Sequence, residues 1–512
     1  MKFNNFFAAG IKGDFLAIAA GILLTFAFAP LRLYPLAVIL PAILYALWQN
    51  VTPARAFLRG WLFGLGFFGA GIYWVFISIH TFGNASCFLA GFFTVGLIAI
   101  LSLFPGLTGF LLNRYFPYPD YSRIFYAFPT IWVFLEWVRS WIFTGFPWLL
   151  LGYSQITSPL KGFAPIIGVY GLSLLVLFSS CLLIQIYIFI TQKNYRNSIL
   201  YLLILILLWG AGAYLNTISW TQALGKPVTV SLVQGNIAQE MKWSPDHLQS
   251  TLDTYQKLTG PHWNSKIIIW PESAIPIPMQ NAVDFLASMD NIAKKNHAAF
   301  ITGIPVHLAD GKGYYNAVIT LGNGKGYYLK HRLVPFGEYT PFHPWLDKFL
   351  DVLNIPMSDF VAATDPPLPL IANGVKIGTF ICYEIAFPEM VAASDSNIFL
   401  TVSNDAWFGH SIAQAQHLEM AQMRAAENGR PVLFVSNNGT TAVINPDGKI
   451  KSEAPPYVPY VLTDTVQPMQ GQTHWQKQRM DPVLFTIILF ILFAIRDQRS
   501  KLKIKGKKNK VS

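Results

Sequence analysis

The chain has 512 residues, 53% hydrophobic and only 12% charged, and its mean hydropathy of +0.40 excludes a wholly soluble protein. The net charge of +11 would suit nucleic acid if it were gathered on a folded domain. Much of it instead lies between Arg496 and Lys510, directly after an apolar run, where a basic segment reads as a cytoplasmic membrane flank. Cys87, Cys181 and Cys382 are far apart and offer neither a disulfide framework nor zinc spacing.

Apolar runs recur from the start with the roughly 20 residues that a membrane helix needs. Spans are predicted near Phe15 to Pro30, Tyr34 to Trp48, Phe57 to Ile79, Phe88 to Leu112, Ile124 to Ile142, Ala164 to Ile190 and Ile199 to Ile218. They make an N-terminal bundle of about seven spans over residues 1–220. The first run has no small-residue cleavage site after it and is read as an anchor, not a removed signal peptide. The first two runs are joined tightly by LRLYP.

Loop charges give an orientation. With the N-terminus inside, the inner segments carry Lys2 and Lys12, Arg55 and Arg59, Arg114 and Arg123, then Lys193 and Arg196, while the outer loops carry little beyond Arg32 and Lys161. The chain beyond the seventh span is therefore expected outside. Glu136 and Arg139, one helical turn apart in FLEWVRSW, are expected to form a structural ion pair, with a functional role near the bilayer surface as the alternative.

After Trp220 the composition changes. Residues 227–466 read as an extramembrane α/β domain in which strands such as VTVSLVQ, KIIIWPE, AFITGIPV, YNAVITLG, VKIGTFICYE, NIFLTVSND and PVLFVSN alternate with helices near Asp246 to Leu258, Ala282 to Asn296 and Ala413 to Asn428. A last span over 481–496 returns the chain to the inside, leaving 497–512 as a basic cytoplasmic tail.

Three strand ends in this domain each present one reactive residue. KIIIWPE places Glu272 beyond a rigid proline, GYYLKHRLVPFGEY presents Lys330 and Glu338, and VKIGTFICYE delivers Cys382 into Tyr383 and Glu384. A thiol needs a base to become a thiolate, and a carbonyl under attack needs a fixed cation for its oxyanion. Glu, Lys and Cys supply these roles without histidine. Taken singly, Cys382 is equally a buried structural cysteine, and a Glu after a strand or a Lys in a basic stretch is usually a solvated surface group.

Together, in this order and context, they resemble the carbon-nitrogen hydrolase (nitrilase) superfamily. WPESAIP, LKHRLVPFGEYTPF, ICYE, QGNIAQEMKW and SNDAWFG, with GFFGAGIYWVFISI and EWVRSWIFTGFPWLLLGYSQ in the membrane part, resemble the apolipoprotein N-acyltransferase family over nearly the whole chain. The resemblance implies a polytopic α-helical membrane bundle plus an extramembrane nitrilase-like α-β-β-α sandwich. It implies an enzyme that moves the sn-1 acyl chain of a phospholipid, typically phosphatidylethanolamine, to the N-terminal amine of a diacylglyceryl-cysteine apolipoprotein. Cys382 would be the nucleophile, Glu272 the base and Lys330 the oxyanion stabiliser; Glu338, Tyr383 and Glu384 would support them, and Trp243 would stand at the substrate entrance. A low-pKa thiolate would attack the ester, a thioester would store the acyl group, and the kinetics would be ping-pong. The expected setting is the bacterial inner membrane, with the catalytic domain periplasmic, both termini cytoplasmic and the protein monomeric. No cofactor, metal or nucleic acid is expected.

The apolar segment from His343 to Ala363 is either packed core or a lip dipping into the outer leaflet. His410 and His417 lack a third metal ligand at suitable spacing. Two other readings compete. One is a membrane-tethered amidase, against which Trp243, Trp345, Trp407 and Phe408 suggest apolar walls. The other is a transporter with a ligand-binding domain, against which the spans lack the spread of buried charges that a transport path needs.

Overall fold

The computed structural model describes residues 10–308, 311, 313–335, 337–339 and 360–508, so the segment from His343 lies outside the described residues as far as position 359. The chain divides into two compact units. The first comprises Met1–Tyr73, Phe92–Ile218 and Gln478–Ser512; the second comprises Trp74–Gly91 and Ser219–Lys477.

The first unit is helical. Among the described residues, Gly10–Ala27, Cys87–Tyr115, Pro159–Thr191 and Tyr195–Leu215 are long and apolar enough to cross a membrane, as their composition requires. The run read as one span from Phe57 to Ile79 is interrupted: a helix over Pro53–Gly71 stops where Ile72 leaves helical dihedrals (φ −129°, ψ 23°), and another begins at Trp74. Counting this pair as a single span gives five. Helix Pro35–Leu47 is shorter, and the C-terminal helix runs over Asp481–Lys508.

Small residues let the helices Gly10–Leu24 and Pro53–Gly71 approach closely, since a Cβ on Gly21 would stand 2.0 Å from the Phe63 carbonyl and one on Gly66 2.3 Å from that of Ile18. Ile199, Leu200, Leu203, Ile206 and Leu207 of Tyr195–Leu215 are exposed, which only a lipid surround makes favourable. Glu136 accepts from Trp132 Nε1 (3.1 Å) and the Leu151 amide (3.0 Å), while Arg139 donates to the carbonyls of Phe146 (3.0 Å) and Trp148 (2.6 Å). Both buried charges thus hold the irregular segment after their helix.

The second unit holds two main sheets. One has the strand order Tyr460–Val466, Val228–Gln234, Ile267–Ile269, Ala299–His307, Tyr314–Gly322 and Tyr327–Leu329. The other runs Ile450–Glu453, Ala442–Ile444, Val432–Ser436, Ile398–Ser403, Val375–Ile381, Leu370–Ala372 and Gly324–Lys325. Each has three parallel strands at its centre and antiparallel strands outside them.

Side-chain alternation builds the layers. Val230, Leu232, Ile267, Ile269 and Ile301 of one sheet meet Ile377, Ile381, Leu400, Val402 and Leu433 of the other in a shared core. Their neighbours point outward: Ile268 and Phe300 pack with Leu252, Leu286 and Met289 of the helices Leu248–Thr259 and Val283–Lys295. On the far side Phe380, Phe399 and Phe434 pack with Leu418 and Ala421 of Ala413–Asn428. The result is the α-β-β-α sandwich, with its parallel strands ending on one rim.

Candidate active site

Cys382 comes directly after Val375–Ile381, and its backbone adopts φ +53°, the left-handed region that side chains other than glycine rarely visit. The cost, about 1–3 kcal/mol, is borne by a buried carboxylate. Glu384 accepts the amides of Ile381 (2.8 Å), His331 (2.7 Å) and Arg332 (3.0 Å) and the Tyr328 hydroxyl (2.8 Å). One side chain thus ties the sharp turn after one strand to the segment leaving another. Pro388 then opens a new helix, so the thiol stands at a rigid strand-to-turn corner.

Glu272 lies beyond the end of Ile267–Ile269, where Trp270 is buried and Pro271 stiffens the exit. Its Oε1 accepts from Asn316 Nδ2 at 2.7 Å and its Oε2 from the Asn404 amide at 2.9 Å. Lys330 comes straight after Tyr327–Leu329 and is 1% exposed. Its Nζ lies 2.7 Å from Glu338 Oε1 and 3.5 Å from Glu272 Oε1. Asn316 Nδ2 also donates to Glu338 Oε1 at 3.0 Å, and Glu338 Oε2 accepts the Val334 amide at 2.8 Å. An amide and an ammonium therefore bridge two carboxylates.

Burial pushes the Cys382 thiol well above the ordinary thiol range; Glu272 and Asp405 add to the rise, while Lys330 and the Ser403 hydroxyl oppose it. These influences favour the protonated thiol over the low-pKa thiolate expected from sequence, because burial, with two carboxylates beside it, outweighs one cation. A thiol so placed needs a base at the moment of attack. Burial works against the Lys330 charge as well, but Glu338 and Glu272 together override it and hold the ammonium above its usual value. The two groups are thus matched as a weak acid beside a permanent cation.

Residues 20–182 match the apolipoprotein N-acyltransferase N-terminal domain and residues 229–473 match carbon-nitrogen hydrolase. The apolipoprotein N-acyltransferase of Coxiella burnetii is 44% identical over 483 residues, spanning 94% of this chain and 99% of that protein. The chain belongs to the apolipoprotein N-acyltransferase family. Another family member, from Pseudomonas aeruginosa strain UCBPP-PA14, is 41% identical over 500 residues, with 95% and 96% covered. Among solved structures, the carbon-nitrogen hydrolase superfamily protein XC1258 of Xanthomonas campestris is similar at 21% identity and a TM-score of 0.37, over 48% of this chain and 91% of its own.

In this family member, a membrane-embedded acyltransferase, the strand ends bring Glu272, Lys330 and Glu338 into direct contact, and both Glu272 and Lys330 act electrostatically on Cys382. Tyr383 is buried with its ring edge-on to Phe387, 5.1 Å between centres. Trp243 is half-buried at the end of the short helix Gln239–Lys242. His417 is occupied: Nδ1 lies 3.1 Å from Asp405 Oδ1 and Nε2 3.0 Å from the Cys382 carbonyl oxygen. His410 stacks instead on Tyr457, 4.0 Å between ring centres.

Several contributors went unnoticed in the sequence. Asn316 sits mid-strand in YNAVIT and looks like an ordinary polar strand residue; only its pairing with two distant carboxylates reveals it. Asn404 and Asp405 lie in SNDAWFG, where the motif itself was the available signal. Lys242 stands beside the singled-out Trp243, yet it is buried and donates to the Glu272 carbonyl oxygen at 2.9 Å. The segment Trp74–Phe82 also joins this unit: Ser78 Oγ donates to the Trp407 carbonyl at 2.7 Å, and the rings of Trp74 and Phe408 lie 4.8 Å apart.

Proposed function

We propose that the protein transfers the sn-1 acyl chain of a phospholipid, with phosphatidylethanolamine the expected donor, to the N-terminal amine of a diacylglyceryl-cysteine apolipoprotein. In the first half-reaction Glu272 takes the thiol proton as Cys382 Sγ attacks the ester carbonyl, and the Lys330 ammonium faces the developing oxyanion. The C–O bond breaks, the departing lysophospholipid oxygen takes the proton back from Glu272, and a thioester remains on Cys382. In the second, the amine nitrogen attacks the thioester, Glu272 receives its proton, the C–S bond breaks and the sulfur is reprotonated. Kinetics are ping-pong. The setting is the bacterial inner membrane, with the catalytic unit on the periplasmic face and the protein working as a monomer without a cofactor.

The observation that carries this reading is the strained Cys382 corner under the joint influence of Glu272 and Lys330, in a chain that belongs to this family along nearly its whole length. Water is the competing acceptor, and the apolar rings of Trp407 and Phe408 near the Asn404 strand end favour a dry site where an amine wins. The test is intact mass after incubation with phospholipid alone. One acyl group should appear, be released by hydroxylamine, and be absent in Cys382→Ala and Glu272→Gln. An adduct persisting in Cys382→Ala would remove the nucleophile from the reading.

A further inference from the structure

Besides Lys330, a second lysine is enclosed in the catalytic cluster. Lys242 is 3% exposed, and its Nζ donates to the Glu272 carbonyl oxygen at 2.9 Å while lying 5.9 Å from the centre of the Trp243 ring. The next residue after that carbonyl, Ser273, takes φ +47°, so the peptide that Lys242 grips belongs to a strained turn. The same short helix carries Gln239, whose Oε1 accepts from Asn404 Nδ2 at 2.7 Å; the Asn404 amide in turn holds the Glu272 carboxylate. Helix Gln239–Lys242 therefore fixes the proposed base at both its main chain and, through Asn404, its side chain.

Charge counting gives Lys242 a second task. The carboxylates of Glu272 and Glu338 share Lys330, and Asp405 adds a further negative group acting on Cys382. Acylation builds more negative charge there, on the sulfur and then on the carbonyl oxygen. Both Glu272 and Cys382 act electrostatically on Lys242, so the influence is mutual. An ammonium there grips the carbonyl by a charge-assisted hydrogen bond and balances the second carboxylate; a neutral amine does neither as well.

We propose that Lys242 is a positioning residue of the acylation step, whose protonated form pins the Glu272 main chain and neutralises the excess negative charge of the cluster. Burial lowers its pKa to about 8, with Glu272 and Cys382 acting in the opposite sense, so the working form is lost just above neutrality. Acylation should therefore slow as pH rises through about 8.

The proposal rests on Cys382 as nucleophile and deepens that assignment. Its test is the single-turnover rate of acyl loading from phospholipid in mixed micelles, followed by intact mass from about pH 6 to pH 10 on the full chain. Omitting the acceptor removes its amine from the titration, and using one lipid for every variant cancels that of the donor. The parent should lose rate through about pH 8. Lys242→Arg, which keeps its charge, should load faster than Lys242→Met at neutral pH and show the break at least about one pH unit higher than the parent. Lys242→Met should load about tenfold to a hundredfold more slowly with no break near that pH. Thermal melting identifies any variant that fails to fold, in which case the parent profile decides alone. A parent rate that stays flat or rises through this range overturns the role of Lys242, as does a break that Lys242→Arg leaves in place. Absence of any acyl adduct on the parent would instead sink the underlying function.

Discussion

The Lys330 ammonium sits 2.7 Å from the Glu338 carboxylate, closer than its 3.5 Å approach to Glu272, so its main ion-pair partner is not the residue proposed as base. This leaves Glu272 tethered by Asn316 and the Asn404 amide but not neutralised by a tight pair, which is the condition a proton acceptor needs. Lys330→Ala leaves Glu272 and Glu338 facing each other across Asn316 with no cation between them. Breaking one side of a buried pair costs about 3–5 kcal/mol. Glu338→Gln leaves Lys330 with Glu272 alone, which should bring that pair together and slow acylation. The double variant Lys330→Ala/Glu338→Gln removes one charge of each sign and should melt above Lys330→Ala. Melting of purified protein in one detergent checks this, and a double variant that falls by the sum of the singles would show the two residues to be uncoupled.

A second prediction concerns the thiol. Its raised pKa means that the thiolate needed for alkylation is scarce at neutral pH and grows as pH rises beyond the range of an ordinary cysteine, about 8.5. Iodoacetamide should therefore label Cys382 slowly at pH 7 and progressively faster toward alkaline pH, read by mass spectrometry of the peptide that contains it. Lys330→Ala should push the profile further up, because the cation that opposes the rise is gone. Rapid labelling at pH 6 would mean a standing thiolate and would contradict the electrostatics of the site.

Legibility tracks the reach of each interaction along the chain. Glu272, Lys330 and Cys382 each end an apolar strand and stand in a recognisable local context, so all three are legible as candidates, and the alternation in VKIGTFI that separates Ile377 and Ile381 from Phe380 is the division between inner and outer layers. Glu384 was visible as a neighbour of the thiol, but its grip on the amides of His331 and Arg332 spans 53 and 52 residues and has no local signature. Asn316 and Lys242 were hidden for the same reason: their partners lie 44 and 30 residues away. The break after Gly71 was illegible because apolar composition is continuous across it, and hydropathy does not register a change of backbone direction. The upward direction of the thiol pKa is not legible because a sequence shows the nearby charges but not how much core encloses them.

The third prediction is topological. The basic residues of the proposed inner loops and the tail from Arg496 favour a cytoplasmic C-terminus, while the segment around Asn323 belongs to the catalytic unit. Asn323 is exposed at the bend between two strands, so a short tag there is accessible, and melting against the parent shows whether the fold tolerates it. A reporter fused after Lys510 should read cytoplasmic and a tag at Asn323 external. Both on one side would mean that the number of crossings between them is even, and the helix Asp481–Lys508, which lies between the two sites, would be the place to recount.

The last prediction separates an acyltransferase working on lipid from a hydrolase of small amides. Trp243 is half-buried at the end of Gln239–Lys242, with its ring face toward Lys242 Nζ. If it lines the entrance, the donor chain must leave the bilayer at a cost of about 0.8 kcal/mol per methylene, and apolar contact at the mouth offsets part of this. Trp243→Ala should then slow acyl loading from a long-chain phospholipid much more than loading from a short, water-soluble thioester, which has no bilayer to leave. Trp243→Phe, which keeps an aromatic face, should restore most of the long-chain rate. Because Trp243 adjoins Lys242, the comparison is made at neutral pH, where a disturbed Lys242 would slow both substrates together. Both rates are measured in one detergent against the parent. Equal losses on the two substrates would assign Trp243 to support of helix Gln239–Lys242 and remove it from the lipid path.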